Sequence, residues 1–148
     1  MIGGQKMPDI ILVSGGFDPI HSGHIKLIND ANKYGDVVVL LNSDAWLRNK
    51  KGKEFLSFDE RKIIMQNIKG VLDVLDFDDS DNTCIDGLRK AKKKYTNSII
   101  KFANGGDRND ETTPETAFCN QNNIEALWGI GGNHKSNSSS WILKKWKE

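Results

Sequence analysis

Cysteine is scarce: two residues, Cys84 and Cys119, stand far apart in a chain of 148. They form neither a disulfide framework nor a metal-ligand spacing, and they are read as reduced thiols in a cytoplasmic protein. No apolar run approaches the roughly 18 residues of a membrane span. Residues 1–6 lack the apolar stretch of a secretory signal, and residues 1–7 are read as a frayed N-terminus. Charge of neither sign is in excess: 21 Lys and Arg face 20 Asp and Glu, for a net charge of +1. That balance removes the electrostatic case for nucleic acid or an anionic membrane as principal partner. Anion binding must come from local placement of charge. Two common phosphate motifs are also missing, since no Gly-x-Gly-x-x-Gly and no Gly-Lys-Ser/Thr occurs.

What is present is ordinary for a globular chain, with 37% hydrophobic and 28% charged residues. The length suits one domain, 1–148, and is too short for two. Short apolar runs at Ile10–Ser14, Asp36–Asn42, Val71–Phe77, Ser98–Ala103 and Ile124–Gly129 predict strands covered on both faces. Amphipathic patterns predict helices over Gly23–Tyr34, Ser57–Lys69, Asn82–Tyr95, Pro114–Asn122 and Ser138–Lys147. The second opens on a Ser57-x-x-Glu60 capping box, and the fourth has proline near its first turn. The expected fold is α/β: a Rossmann-like parallel sheet of about five strands flanked by helices. Such sheets bind ligands beyond the carboxyl ends of their strands. Four polar or glycine-rich segments, 15–24, 42–44, 104–107 and 131–140, converge on that edge.

The most informative segment is Gly15-Gly16-Phe17-Asp18-Pro19-Ile20-His21-Ser22-Gly23-His24. A strand leads into a glycine-containing turn that delivers two histidines to the start of a helix. Unpaired backbone N–H groups and the helix dipole favour an anion there. His21 and His24 share a face at this spacing. As donating or protonated imidazoles they would stabilise charge building on phosphorus. The alternatives are a capping histidine with a packed neighbour, or a metal pair, which would need a third ligand when the only other histidine is His134. Phosphate chemistry is therefore preferred, and no metal site is assigned to the protein.

Gly16-Phe17-Asp18 followed by His21-Ser22-Gly23-His24 resembles the HxGH-type nucleotidylyltransferase superfamily. That group includes glycerol-3-phosphate cytidylyltransferases and heptose-phosphate adenylyltransferases. The resemblance runs on in order through Gly35-Asp36, Asn42-Ser43-Asp44, Glu60-Arg61, Gly105-Gly106-Asp107 and Ser138-Ser139-Ser140. Two stretches depart from it. Asn133-His134-Lys135-Ser136-Asn137 stands where glycerol-type enzymes carry Arg-Thr-x-Gly-Ile, and Arg108-Asn109-Asp110-Glu111 matches neither type.

The resemblance implies transfer of a nucleotidyl group from a nucleoside triphosphate, CTP or ATP, to a phosphorylated sugar or polyol. Glycerol 3-phosphate or a heptose phosphate would be such an acceptor. Pyrophosphate is released, and Mg2+ accompanies the triphosphate. It implies catalytic roles for His21 and His24, and for a lysine of a lid-like run, Arg48–Lys53, with Lys51 placed ahead of Lys50. Arg61 is given a phosphate or structural role near that lid. Nucleotide contacts fall to Gly15, Gly16, Phe17, Asp18, Asp44, Gly105, Gly106 and Asp107, and to Ser138, Ser139 and Ser140 at a helix N-terminus. Asp18 is read as orienting the turn or a metal-bound water. Asp44 and Asp107 either contact ribose or base or bond their own backbone. Trp141, Ile142 and Leu143 of the last helix suit a homodimer. A nucleotide-binding protein of the same fold without turnover is the alternative, and a fragment acting on tRNA is a weaker one.

Overall fold

The computed structural model describes residues 8–105, 113–131 and 138–147. Among them strands and helices alternate: β1 (Ile10–Gly15), α1 (Ser22–Asn32), β2 (Asp36–Leu41), α2 (Asp44–Lys51), α3 (Phe58–Gln66) and β3 (Val71–Leu75). Then come α4 (Ile85–Lys94), β4 (Ile100–Gly105), α5 (Pro114–Gln121), β5 (Glu125–Ile130) and α6 (Ser139–Lys147). The five strands form one parallel sheet in the order β3-β2-β1-β4-β5. The winding therefore reverses between β1 and β4, which makes their carboxyl ends the switch point.

Alternation along the inner strands builds two cores, one on each face of the sheet. Ile10 and Leu12 of β1, with Val38 and Leu40 of β2, pack under α4 and α5 against Leu88, Ala91 and Cys119. Ile11, Val13, Val37, Val39 and Leu41 face the other way, against Ile28 and Ala31 of α1 and Met65 of α3. These strands are uninterrupted apolar runs because neither face meets water. Gly35 joins α1 to β2 where a Cβ would stand 2.3 Å from the carbonyl oxygen of Asp9, so no larger residue fits.

Element boundaries moved for identifiable reasons. Helix α4 starts at Ile85 rather than Asn82. Asp81 Oδ1 takes the Thr83 N–H and Thr83 Oγ1 takes the Ile85 N–H, local bonds that compete with the helix. Helix α3 ends at Gln66, with Asn67 as its C-cap. The basic run is not a loop throughout: Arg48, Lys50 and Lys51 form the last turn of α2, where cations suit the helix dipole. The helix stops at Gly52, whose φ of +91° no other residue adopts cheaply.

Candidate active site

Between β1 and α1 the chain makes a tight turn. Phe17 lies in the left-handed region at φ +50°, at a cost of about 1–3 kcal/mol. Packing holds it there: the ring is buried and meets the His24 ring edge-on at 4.8 Å. His21 is the N-cap of α1. Its Nδ1 accepts the Gly23 N–H at 3.0 Å, and Nδ1 of His24 accepts the His21 N–H at 3.2 Å. Two histidines thus make the reciprocal cap that Ser/Thr and Glu/Gln usually build. A ring nitrogen that accepts carries no proton, so each neutral imidazole holds its hydrogen on Nε2. The rings stack with centroids 3.8 Å apart.

Burial above all, then repulsion from His21 once that ring is protonated and from the Lys51 ammonium, lowers the His24 pKa from 6.5 to about 3. At neutral pH His24 is a neutral Nε2–H donor. This has a consequence for stability. Between pH 6.5 and about 3 the unfolded chain takes up a proton at His24 that the folded chain refuses. The contribution is therefore fully present above pH 6.5 and is lost as pH falls toward the folded value. Urea unfolding should show wild type losing about 2 kcal/mol more than His24→Gln between pH 7 and pH 5. Equal losses in the two proteins would contradict the burial of a neutral ring.

Asp18 is 2% exposed. Its carboxylate accepts the N–H groups of Phe55 at 2.6 Å and Leu56 at 2.7 Å. The Lys51 ammonium lies 3.6 Å from the same carboxylate and donates to the Asp18 carbonyl. Asp18 thus orients the turn by fastening the segment between α2 and α3 across it. Arg61 completes the fastening from a fully buried position. Its Nε donates to the Leu56 carbonyl at 3.0 Å. One terminal nitrogen donates to the carbonyls of Gly16 at 3.0 Å and Asn42 at 2.8 Å, and the other to Asp44 Oδ1 at 2.7 Å. The guanidinium is committed to loop carbonyls and to the Asp44 carboxylate. Gly16 lies under α2, where a Cβ would meet Leu47 at 2.7 Å.

A cavity of about 530 Å³ opens at the switch point. Its floor is Ser14 and Gly15 of β1, Asn42 after β2, and Phe102, Ala103 and Asn104 of β4. Its rim includes Trp46 and Lys50 of α2, Asn82, Thr83 and Cys84 before α4, and Glu115 of α5. The two lysines at the end of α2 therefore differ. Lys50 borders the cavity with its ammonium 4.7 Å from the Trp46 ring centroid, whereas Lys51 turns back to Asp18. His21 and His24 are not among the lining residues. Burial, reinforced by the charge of Glu115, pushes the Cys84 thiol up to about 12, so it supplies no thiolate at neutral pH.

Sequence reasoning missed Asp79. Its carboxylate accepts from Asn42 Nδ2 at 3.0 Å, the Ser43 N–H at 2.8 Å and the Ser43 hydroxyl at 2.8 Å, fixing the Asn42-Ser43 corner. The only signal was an acidic stretch after the third strand, which reads equally well as a solvated loop. Glu115, in the first turn of α5, accepts the Cys84 N–H through Oε2 at 3.4 Å.

At the far side, Ser138 Oγ accepts the Trp141 N–H at 3.0 Å and caps α6. The Ser139 hydroxyl donates to the Pro19 carbonyl at 2.8 Å. The N-terminus of α6 is thereby fastened to the histidine turn, and Ser140 is exposed. Trp141 and Trp146 are exposed on the same helix. Gly105 ends β4, while Gly106, Asp107 and residues 108–112 and 132–137 lie outside the described residues. Among the described residues, no three His, Cys, Asp or Glu side chains group as a metal site, and no helix is long and apolar enough to cross a membrane.

The model of the cytidylyltransferase-like family matches residues 12–127. The bifunctional protein HldE of Syntrophotalea carbinolica is 36% identical over 145 residues, covering 94% of this chain and 28% of that protein. The glycerol-3-phosphate cytidylyltransferase of Bacillus subtilis is 36% identical over 66 residues, 44% of this chain and 51% of that protein. This chain thus spans little more than a quarter of the HldE relative. The crystal structure of the lipopolysaccharide core biosynthesis protein from Thermoplasma volcanium superposes with a TM-score of 0.64 at 18% identity, covering 83% of this chain and 95% of that one. That likeness is one of fold.

Proposed function

The chain belongs to the cytidylyltransferase-like family of nucleotidyltransferases, and from that premise we propose that it transfers a nucleotidyl group from CTP or ATP to a small phosphorylated sugar or polyol. The observation that carries the reading is the reciprocal histidine cap. It sets two neutral Nε2–H donors beside the N-terminus of α1, and Ser139 holds the N-terminus of α6 against the same turn. Two helix N-termini and two imidazoles around one turn form an anion site suited to a triphosphate.

In the proposed reaction a phosphate oxygen of the acceptor attacks the α-phosphorus. A new P–O bond forms as the α–β bridging bond breaks, and pyrophosphate carries away the negative charge. Such transfers need positioning and charge neutralisation more than covalent chemistry. His21 and His24 stabilise charge on the bridging and leaving oxygens, and the N-terminus of α6, fastened by Ser139, holds the β- and γ-phosphates through Ser138 and Ser140. Lys50, facing the cavity, meets the acceptor phosphate. Asp18 is committed to the amides of Phe55 and Leu56, so Mg2+ would be carried on the triphosphate itself, where it would neutralise phosphate charge.

Pyrophosphate release, measured with each of the four nucleoside triphosphates against a panel of phosphorylated polyols and sugars, tests the reading. Release that depends on both a triphosphate and an acceptor is expected. Tight nucleotide binding with no release under any pairing would instead identify a binding protein without turnover.

A further inference from the structure

Two side chains of opposite charge border the switch-point cavity, Lys50 from α2 and Glu115 from α5. Each is held by the protein. Lys50 sits over the Trp46 ring, and Glu115 accepts the Cys84 N–H that opens α4. The Cys84 side chain makes no capping bond to α4, and the Glu115 carboxylate takes the backbone N–H of this N-cap residue from outside the helix. A carboxylate bordering a phosphate-binding cavity is unfavourable unless something in the ligand rewards it. The backbone bond takes up only part of the carboxylate's accepting capacity.

The cavity adjoins the histidine turn through Gly15 of β1 and Leu27 of α1. Neither the histidines nor the serines of α6 line it. Among the described residues, its polar side chains besides the two charges are chiefly hydroxyls and amides, among them Thr83, Asn82 and Asn104. A ligand with one anionic end and an uncharged, hydrogen-bond-donating end fits this distribution in one orientation only. The phosphate lies toward Lys50, and the donating end lies toward Glu115.

Resting on the nucleotidyl-transfer reading above, we propose that Glu115 is the residue that selects the acceptor: it accepts hydrogen bonds from the hydroxyl groups at the end remote from the phosphate and repels acceptors carrying a second anion there. The acceptor class is thus a neutral polyol or sugar phosphate, not a phosphorylated acid. Repulsion of an acidic end disfavours ground state and transition state alike, so it is read in KM and in kcat/KM rather than in kcat.

The test uses matched acceptors that differ only at the remote end. Glycerol 3-phosphate is paired with 3-phosphoglycerate, and a hexose 1-phosphate with the corresponding uronic acid 1-phosphate. Wild type should prefer the neutral member of the productive pair by about tenfold or more in kcat/KM. Glu115→Gln keeps an acceptor for the Cys84 N–H and should melt near wild type. It should raise KM for the neutral acceptor several-fold with little change in kcat, and shrink the preference to about threefold or less. Wild type that uses acidic and neutral members equally overturns the assignment. So does a Glu115→Gln protein whose preference is unchanged, or one that loses nucleotide affinity while its acceptor preference stays. Absence of turnover with every triphosphate and acceptor would overturn the nucleotidyl-transfer reading itself, and this assignment with it.

Discussion

His24→Ala lowers kcat by about 10²- to 10³-fold while the protein stays folded, the scale on which loss of one preorganised donor at a developing charge is felt. The expectation rests on the Nε2–H of a ring whose Nδ1 is already fixed by the His21 N–H. Alanine also removes half of the reciprocal cap, worth about 1 kcal/mol. Stability and chemistry must therefore be separated. His24→Gln does this, because glutamine at the third helical position is a standard partner in a capping box and restores the acceptor for the His21 N–H. It should melt close to wild type yet turn over at least about tenfold more slowly, since its amide donor cannot replace the imidazole in position and polarisability. A glutamine variant with native turnover would show that His24 serves the helix and not the phosphate.

Arg61→Ala produces the largest loss of stability, about 3–5 kcal/mol, the range for breaking a buried ion pair from one side. For a domain of this size the melting temperature falls by about 10–15 °C. Four acceptors lose their donor at once: the carbonyls of Leu56, Gly16 and Asn42, and the Asp44 carboxylate. These belong to three separate loops around the site, so the loss releases the turn after β1, the corner after β2 and the segment before α3 together. Arg61→Lys keeps the charge but not the fork, and should recover less than half of the loss. Thermal melting together with nucleotide affinity discriminates the roles. A side chain acting on substrate would leave the melting temperature near wild type and reduce only turnover. A residue that fastens loops lowers both.

The comparison of sequence and structure follows from the range of the interactions. The histidine turn was legible because its contacts are local: His21 and His24 are three residues apart, and the strand before them and the helix after them carry their own patterns. The two-sided sheet was legible for the same reason, since Val37–Leu41 states its burial in consecutive residues. Arg61 was not. One residue after Glu60 in a capped helix, it reads equally as exposed, phosphate-facing or structural. Its burial is decided by Gly16, 45 positions earlier, and Asn42, 19 positions earlier. Asp18 and the amides of Phe55 and Leu56, 37 and 38 positions on, pose the same difficulty, as does the bond from Ser43 to Asp79 across 36 positions. Glu115 reaches back 31 positions to Cys84, a pairing that only the packing of α4 beside α5 creates. The helical state of Arg48–Lys51 did have local signals, namely the Ser43 cap, Asp44 in the first turn and Gly52 at the stop. The concentration of positive charge masked them.

The central claim is that two neutral imidazoles, each protonated on Nε2, meet the phosphates of a nucleotide. Long-range ¹H–¹⁵N correlation spectra of the imidazole rings test it most directly, because the chain has only three histidines. At pH 7 the account predicts His21 and His24 as Nε2–H tautomers, His24 holding that state well below pH 6, and both Nε2 resonances shifting when a nucleoside triphosphate is added. Hydrogen on Nδ1, or Nε2 signals that ignore a saturating nucleotide, would contradict it.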